Sequence, residues 1–496
     1  MLTTSIFSER AEWLDAVFDP SREAAFPLLR ACWIGTLYTL GLAAWGYVLG
    51  WSVLPLNFGD WADINVPRLW FLSNAIAAGE WPLHMAYSHS LHSVTDRFLT
   101  LPDVITTPQS VLLPWLGIQR FILFDVALHY SAGVAGLLAL RRRLAWSLFT
   151  YTTVSVLFLF NGHIVSHYSV GHFTWAAYFL FPWFVLLCFD LLDGARGWRW
   201  VARVAFLLFY MVLAGGQHHF TWTLLLLGCL IPFCLDRAIW IIAAGAAAGL
   251  LSAVRLLPPV LSLGLFKDAA WMSDVIGYPS ILHIVTSMVE LRREHLDAVN
   301  LHTLGNFVFF EVNYFEYAYY VGVIGFAVLV YFGVYSWFRD RESRYPQLIV
   351  PTLALIAMSI GTVYRIVRAT GIPLLMSERL VSRMLSLPLT ILIVMAGIFL
   401  QQALAQTRQT VWNRLAALGV LFLLAIDMAG GIRLMRAAET ATMMRHVELT
   451  PVMGEITHRA DPVYTRTVAF GAGLTLITAG GLIVLARRDG NLRFDR

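Results

Sequence analysis

Charge is scarce in this chain. Only 13% of its 496 residues are Asp, Glu, Lys or Arg, 58% are hydrophobic, and the mean hydropathy is +0.67. No soluble globular class has that balance, and an integral membrane protein does. Lysine is almost missing: Lys267 stands alone among 35 basic residues, a bias we read as genomic. The net charge of +4 gives no reason to expect nucleic acid as a partner. Cysteine is rare as well. Cys32, Cys188, Cys229 and Cys234 all fall in apolar runs, so they read as small core residues rather than disulfides or metal ligands. A cleavable signal peptide is not evident at the N-terminus. Residues 1–30 are mixed and polar, and the first apolar run, near 26–49, is long enough to span a membrane and stay there.

What the chain does have is a succession of apolar runs. A helical span takes roughly 20 such residues. About twelve runs occur, near 27–50, 119–140, 144–160, 173–192, 200–214, 219–235, 238–260, 318–338, 347–363, 384–401, 412–431 and 466–486. The fold class this predicts is an all-α polytopic integral membrane protein, a bundle of about 12 transmembrane helices with long outer loops. Short connections carrying Arg141 to Arg143, then Arg196, Arg199 and Arg203, then Arg339, Arg341 and Arg344, then Arg487 and Arg488, fall on one side. By the positive-inside rule that side is cytoplasmic, and both termini lie there too. The long connections, about 51–118, 261–317 and 433–465, lie on the other side, and of the 14 histidines all but His129 fall in or beside the non-cytoplasmic segments, long and short. Greater loop length alone would produce that asymmetry; a polar working surface would also produce it. The expected organisation is a bundle over 1–432 that includes the outer loops 51–118 and 261–317, a small outer segment at 433–465, and a final helix with a cytoplasmic tail at 466–496.

Several polar stretches interrupt this pattern. The first outer loop contains Gly59-Asp60-Trp61-Ala62-Asp63, and on a helix Asp60 and Asp63 would share a face at i, i+3. One carboxylate would then accept a proton from an attacking hydroxyl while the other binds a divalent cation or orients the first. The plainer alternative is a pair of solvated loop carboxylates, one of them capping a helix. Between the third and fourth runs lies Asn161-Gly162-His163-Ile164-Val165-Ser166-His167, with His163 and His167 at i, i+4. That spacing suits a shared metal or a phosphate oxygen, or simply interfacial hydrogen bonding. Gly215-Gly216-Gln217-His218-His219 breaks the next pair of runs, and its glycines permit a tight re-entrant turn. Arg255 sits in an apolar run, where an arginine is paired, functional or snorkelling. Asp125 and His129, at i, i+4 in the second run, read as a hydrogen-bonded pair. Arg379 and Arg383 precede the tenth run on the outer side, against the charge rule, and are spaced to hold a phosphate together or to make ion pairs.

Taken in order, these pieces resemble the bacterial GT-C superfamily of membrane glycosyltransferases, and within it the YfhO-like proteins. The resemblance runs through Gly59-Asp60, Gly79-Glu80-Trp81-Pro82-Leu83, Pro108-Gln109-Ser110, Gly162-His163, Phe173-Thr174-Trp175, Gly215-Gly216-Gln217, Arg255-Leu256-Leu257-Pro258, Glu316 before Tyr320-Val321-Gly322, and Glu378-Arg379 through Arg383, roughly residues 50 to 400. It implies transfer of a sugar from a polyprenyl-phosphate-linked donor to a glycan, lipid or protein acceptor on the outer face of the bacterial cytoplasmic membrane. Asp60 would be the base, with Asp63 the second candidate. Arg379, Arg383 and Arg255 would bind the donor phosphate. His163, His167, His218, His219 and Glu316 would contact substrate or a metal, and Mg or Mn is the divalent cation some branches of the family use. Two features depart from the family pattern. The outer segment near the C-terminus is short, and the stretch at Gln217 is rich in histidine. Two other classes stay open: a transporter or flippase of a lipid-linked glycan, for which Arg255, Asp125 and His129 would mark the path, and a non-catalytic envelope scaffold.

Overall fold

The computed structural model describes residues 12–86, 96–262, 275–291, 314–340, 344–371, 375, 378–406, 410–442, 444 and 446–491. Lys267, Arg341, Ser377, most of the 261–317 loop and both chain ends lie outside them. Among the described residues the secondary structure is helical, with isolated β-bridges and no strand.

Seventeen helices matter for the argument. They are α1 (Pro27–Val48), α2 (Val66–Ala78), α3 (Ile118–Leu144), α4 (Leu148–Leu159), α5 (Gly162–Val170), α6 (Phe181–Leu192), α7 (Trp198–Leu213), α8 (Gln217–Leu230) and α9 (Ala238–Leu251). Then follow α10 (Ala253–Val260), α11 (Ile281–Val289), α12 (Gly322–Val328), α13 (Ile349–Met358), α14 (Gly361–Arg368), α15 (Ser386–Gln406), α16 (Val411–Leu434) and α17 (Pro462–Asn491). Their starts follow ordinary capping chemistry. Ser147, Asn161 and Thr410 each accept a hydrogen bond from a backbone N–H in the first turn of α4, α5 and α16.

Among the described residues, eight helical stretches are long and apolar enough to cross a bilayer, or nine if the bent pair α9–α10 is one span. The chain is therefore a multi-pass membrane protein of all-α class. The remaining runs read as spans, 200–214, 219–235 and 347–363, hold the shorter helices α7, α8 and α13. Burial sorts the spans into layers. The Leu148–Val170 stretch is wholly buried and Val381–Gln406 nearly so, whereas Pro27–Val48 and Pro462–Asp489 present most of their apolar surface outward, where lipid covers it. The α9–α10 pair bends by 71°. There α10 packs on α17, and Gly471 lets the two backbones meet: a Cβ at that position would lie 2.8 Å from the Ala253 carbonyl oxygen.

The expected connection at 161–172 is different in the structure. Residues Gly162–Val170 form α5, which continues the α4 span, so His163 and His167 stand inside a buried helix rather than in a loop. One ring nitrogen of each is partnered by another ring of the bundle, His163 Nε2 by Trp175 and His167 Nδ1 by His172.

Arginines meet acids at both ends of the bundle, at the second through Arg68 with Asp103 and Arg97 with Asp461. At one end the arginines meet acids: Arg143 reaches both Asp190 and Asp193, Arg141 reaches Glu23, Arg196 lies 2.8 Å from Asp236, and the Tyr345 hydroxyl donates to Asp193 at 3.0 Å. The opposite end is laced by single β-bridges, Phe58 with His446, His84 with Arg97, Met85 with Ile456, Ile276 with Leu380 and Tyr278 with Ile360. These draw the 50–118 loop, the 446–456 segment and the lead-in to α15 together over the histidine-bearing helix termini.

Candidate active site

Asp60 is placed by two local devices. It precedes a single π-helical turn, Trp61–Asn65, that leads into α2, and the Trp61 ring is buried. Asn65 then clips the turn down, donating its side-chain N–H groups to the Asp60 carbonyl at 3.1 Å and to the Gly171 carbonyl. Gly171 ends α5 at φ +105°, and a Cβ there would come 2.2 Å from the Trp61 nitrogen and 2.7 Å from the Asp60 carbonyl carbon. Only glycine permits both the backbone angle and the approach. The turn swings His172 back so that its Nε2 lies 2.8 Å from Asp60 Oδ2. The Asp60 side chain keeps 35% of its surface open, against 8% for His172. Burial works against its charge, but the His172 contact, with Arg383 and Arg68 further off, outweighs it and holds the carboxyl below its usual range. Asp60 is therefore an ionised carboxylate with one oxygen fixed. Asp63 is exposed on the turn and does not share that environment.

Behind His172 lies a nest of rings. His172 Nδ1 meets His167 Nδ1 in a hydrogen bond. The His167 ring stacks on Trp175, with centroids 4.5 Å apart, and Trp175 Nε1 donates to His163 Nε2 at 3.0 Å. His163 in turn stacks on Tyr319 at 4.5 Å, whose hydroxyl donates to the Arg383 carbonyl at 2.9 Å. His219 stands edge-on to Trp175 at 5.2 Å, and His218 Nδ1 lies 3.0 Å from both Glu378 carboxylate oxygens. The Arg383 guanidinium covers the Trp175 face at 4.8 Å while two of its nitrogens grip the Glu316 carboxylate. Thus Asp60, His163, His167, His218, His219, Glu316 and Arg383 come together from the loop before α2, from α5 and α8, and from the segments before α12 and α15. Arg379 stands beside them. Burial and the neighbouring Arg383 push its pKa down, while Glu316 opposes the shift.

Arg255 has a different setting. Its guanidinium donates to the carbonyls of Leu99, Leu101, Pro102 and Val104 at 3.0–3.3 Å, and the residue is 2% exposed. This arginine holds a loop in shape rather than aiming into the ring nest. Asp125 and His129 do pair, at 3.2 Å, and Gln109 and Tyr210 close a hydrogen-bonded ring with them. Asp427, near the end of α16, accepts from the Tyr320 hydroxyl.

Among the described residues no three His, Cys, Asp or Glu side chains are arranged to hold a metal ion. The four cysteines form no disulfide.

Reading the chain alone missed the parts that need spatial proximity: His172 as the partner of Asp60, Asn65 and Gly171 as the clip, Trp175 and Tyr319 as the stacking faces, and Glu378 as the partner of His218. One signal was available. Gly171 directly follows an apolar helix and precedes a histidine, the pattern of a left-handed helix terminus. The arrangement as a whole offers an ionised base, two neighbouring guanidiniums and aromatic faces at the mouth of an apolar bundle. No protein family, curated protein or solved structure matches the chain.

Proposed function

We propose that the chain is a membrane glycosyltransferase of GT-C type that moves a sugar from a polyprenyl-phosphate-linked donor to an envelope acceptor, working at the outer face of the bacterial cytoplasmic membrane. In this reading the helices number twelve, both termini are cytoplasmic, and the ring nest faces outward. The observation that carries it is Asp60: an ionised carboxylate, anchored through one oxygen, partly open, close to Arg383 in a bundle whose apolar flanks suit a lipid tail.

The chemistry follows from that placement. The donor's lipid lies against the bundle and its phosphate sits near Arg379 and Arg383. Two guanidiniums held close together repel, and an anion between or beside them relieves the repulsion. The acceptor hydroxyl attacks the anomeric carbon as the bond from that carbon to the phosphate oxygen breaks. The hydroxyl proton goes to Asp60, and the electron pair of the broken bond leaves with the polyprenyl phosphate. Positive charge builds on the sugar and negative charge on the phosphate, and the arginines stabilise the latter. Direct attack inverts the anomeric centre. No step is routed through a metal.

A positioned base contributes about 10²–10⁴-fold, so Asp60→Asn loses that much transfer while the bundle stays folded. The test compares envelope glycans by mass spectrometry in wild type, a deletion strain and Asp60→Asn at matched protein level. Loss of the same sugar in both mutants supports the reading. Loss in the deletion alone removes Asp60 as base and moves transport or scaffolding ahead.

A further inference from the structure

The end of the bundle where α3 stops is a full span, Leu148–Val170, away from Asp60, and it holds a cavity of about 510 Å³. Small-ligand sites occupy roughly 300–1,000 Å³. Arg344, Arg414, Gln401, Gln402 and Asp19 form its polar lining, and Phe18, Ile398 and Leu404 give it apolar wall. The groups left unspent there are donors. Arg344 pairs with no carboxylate among the described residues; its guanidinium lies over the Tyr345 ring at 5.4 Å. That ring is itself fixed, stacked on Phe189 at 4.0 Å with its hydroxyl donating to Asp193 at 3.0 Å. Arg414 shares Asp15 with Arg22, and its Nε is buried without a partner. A Gln401 amide atom lies 2.8 Å from the Ser147 N–H, which can only donate. The facing atom is therefore the amide oxygen, and the N–H₂ group is left over as a donor. The acids nearby are taken: Asp15 by its two arginines, and Asp19 by the Ser21 N–H at 2.9 Å and the Ser21 hydroxyl at 2.7 Å.

We propose that this cavity binds the phosphate headgroup of an anionic membrane phospholipid, with Arg344, Arg414 and the Gln401 amide donating to the phosphate oxygens and the apolar wall lying against the glycerol and the first acyl carbons. Three features favour a lipid over a soluble phosphate. The wall gives a soluble phosphate nothing to bury. Trp412, two residues before Arg414, and Trp13, two before Asp15, are both exposed, and exposed indoles collect at the membrane–water boundary. The helices α1 and α16 beside it turn most of their apolar surface outward to lipid. The backbone at the rim is strained as well. Ala145, which lines the cavity, has φ +51°, and Tyr345, next to Arg344, has φ +62°. Side chains hold that left-handed region only where the surroundings impose it, and such positions cluster at ligand sites.

The test titrates the full chain, stripped of lipid in neutral detergent, with phosphatidylglycerol, and counts bound lipid by native mass spectrometry. Parallel titrations use phosphatidylcholine and inorganic phosphate. Arg344→Gln removes the unpaired charge at an exposed position, so the fold does not depend on it. Gln402→Trp, also at an exposed position, fills the cavity and keeps both arginines. Arg196→Gln, an exposed arginine outside the cavity, loses the same charge and is the control. The expected result is saturable binding of phosphatidylglycerol that weakens by about tenfold in Arg344→Gln, the worth of one charged hydrogen bond. Binding also weakens in Gln402→Trp and is unmoved in Arg196→Gln. Unchanged affinity in both cavity variants overturns the proposal, and so does an equal loss in Arg196→Gln, which would mark general attraction to positive charge. Phosphatidylcholine bound as tightly as phosphatidylglycerol overturns the selection for an anionic lipid. Inorganic phosphate bound as tightly as the lipid makes the occupant a soluble phosphate and overturns it too. The readout is binding, so the outcome is independent of sugar transfer at Asp60.

Discussion

Gly171→Ala tests the clip that sets Asp60 in place. The substitution has two separable costs. The first is backbone: φ of +105° lies where L-residues carry a penalty of about 1–2 kcal/mol. The second is collision. The new Cβ would lie 2.2 Å from the Trp61 nitrogen, and real Cβ contacts essentially never fall below 3.0 Å, so the Asp60–Trp61 peptide must retreat by the difference, 3.0 − 2.2 = 0.8 Å. The obstacle is backbone, so no side chain can rotate away to relieve it. A shift near 1 Å at a reacting group costs about 10²-fold in rate. Gly79→Ala is the matched control. Gly79 has φ +68° at the end of α2, yet a Cβ there meets nothing within 4 Å. The expected outcome is that Gly79→Ala loses about 1–2 kcal/mol in reversible unfolding in detergent, that Gly171→Ala loses more because the collision adds to the backbone cost, and that only Gly171→Ala loses about 10²-fold in single-turnover sugar transfer. Equal transfer rates in the two variants would refute the claim that Gly171 positions Asp60.

Three further outcomes follow from the same contacts. His172→Gln removes the largest influence favouring the Asp60 carboxylate; because that group's folded pKa is depressed, losing the partner raises it, so the acid limb of a pH–rate profile moves to higher pH, and a profile that stays put or moves down contradicts the pairing. Arg255→Met leaves four loop carbonyls without their donor and lowers unfolding free energy by about 3 kcal/mol; a variant of wild-type stability that no longer binds donor phosphate returns Arg255 to the phosphate-binding role. Glu316→Gln strands the Arg383 guanidinium, which is buried against Trp175, and costs about 3–5 kcal/mol, measured by thermal unfolding alongside Arg383→Met.

The bundle was largely legible because apolar length is a local property. The run read near 173–192 is the stretch Phe173–Leu192, that near 27–50 is Pro27–Val48, and that near 412–431 is α16 within its first and last turns. Errors came where polarity was mistaken for an end. α4 does end at Leu159, but a new helix starts at once: Asn161, in an extended conformation, caps α5 and donates its amide N–H groups back to the carbonyls of Leu157 and Phe158, so the span Leu148–Val170 continues across the break. The run near 238–260 concealed a 71° bend at Ser252, which hydropathy does not register.

The site was legible as a set of residues but not as a set of pairs. Spacing grouped Asp60 with Asp63, His163 with His167, and Arg379 with Arg383, since neighbours along a chain are all that spacing can see. The structure pairs across the chain instead: Asp60 with His172, Glu316 with Arg383, His218 with Glu378. Each cross-chain pair answers an electrostatic demand that the near-neighbour groupings leave unmet. Two carboxylates or two guanidiniums side by side raise the cost of burial, whereas an acid beside a base lowers it. Asp125 meets that demand within its own helix through His129, whereas the carboxylates of Asp60, Glu316 and Glu378 find their partners on other segments. That requirement is what draws the loop before α2, the ends of α5 and α8 and the lead-in to α15 to one place. It leaves Asp60, whose second oxygen takes no hydrogen bond among the described residues, as the carboxylate with capacity to spare for a substrate.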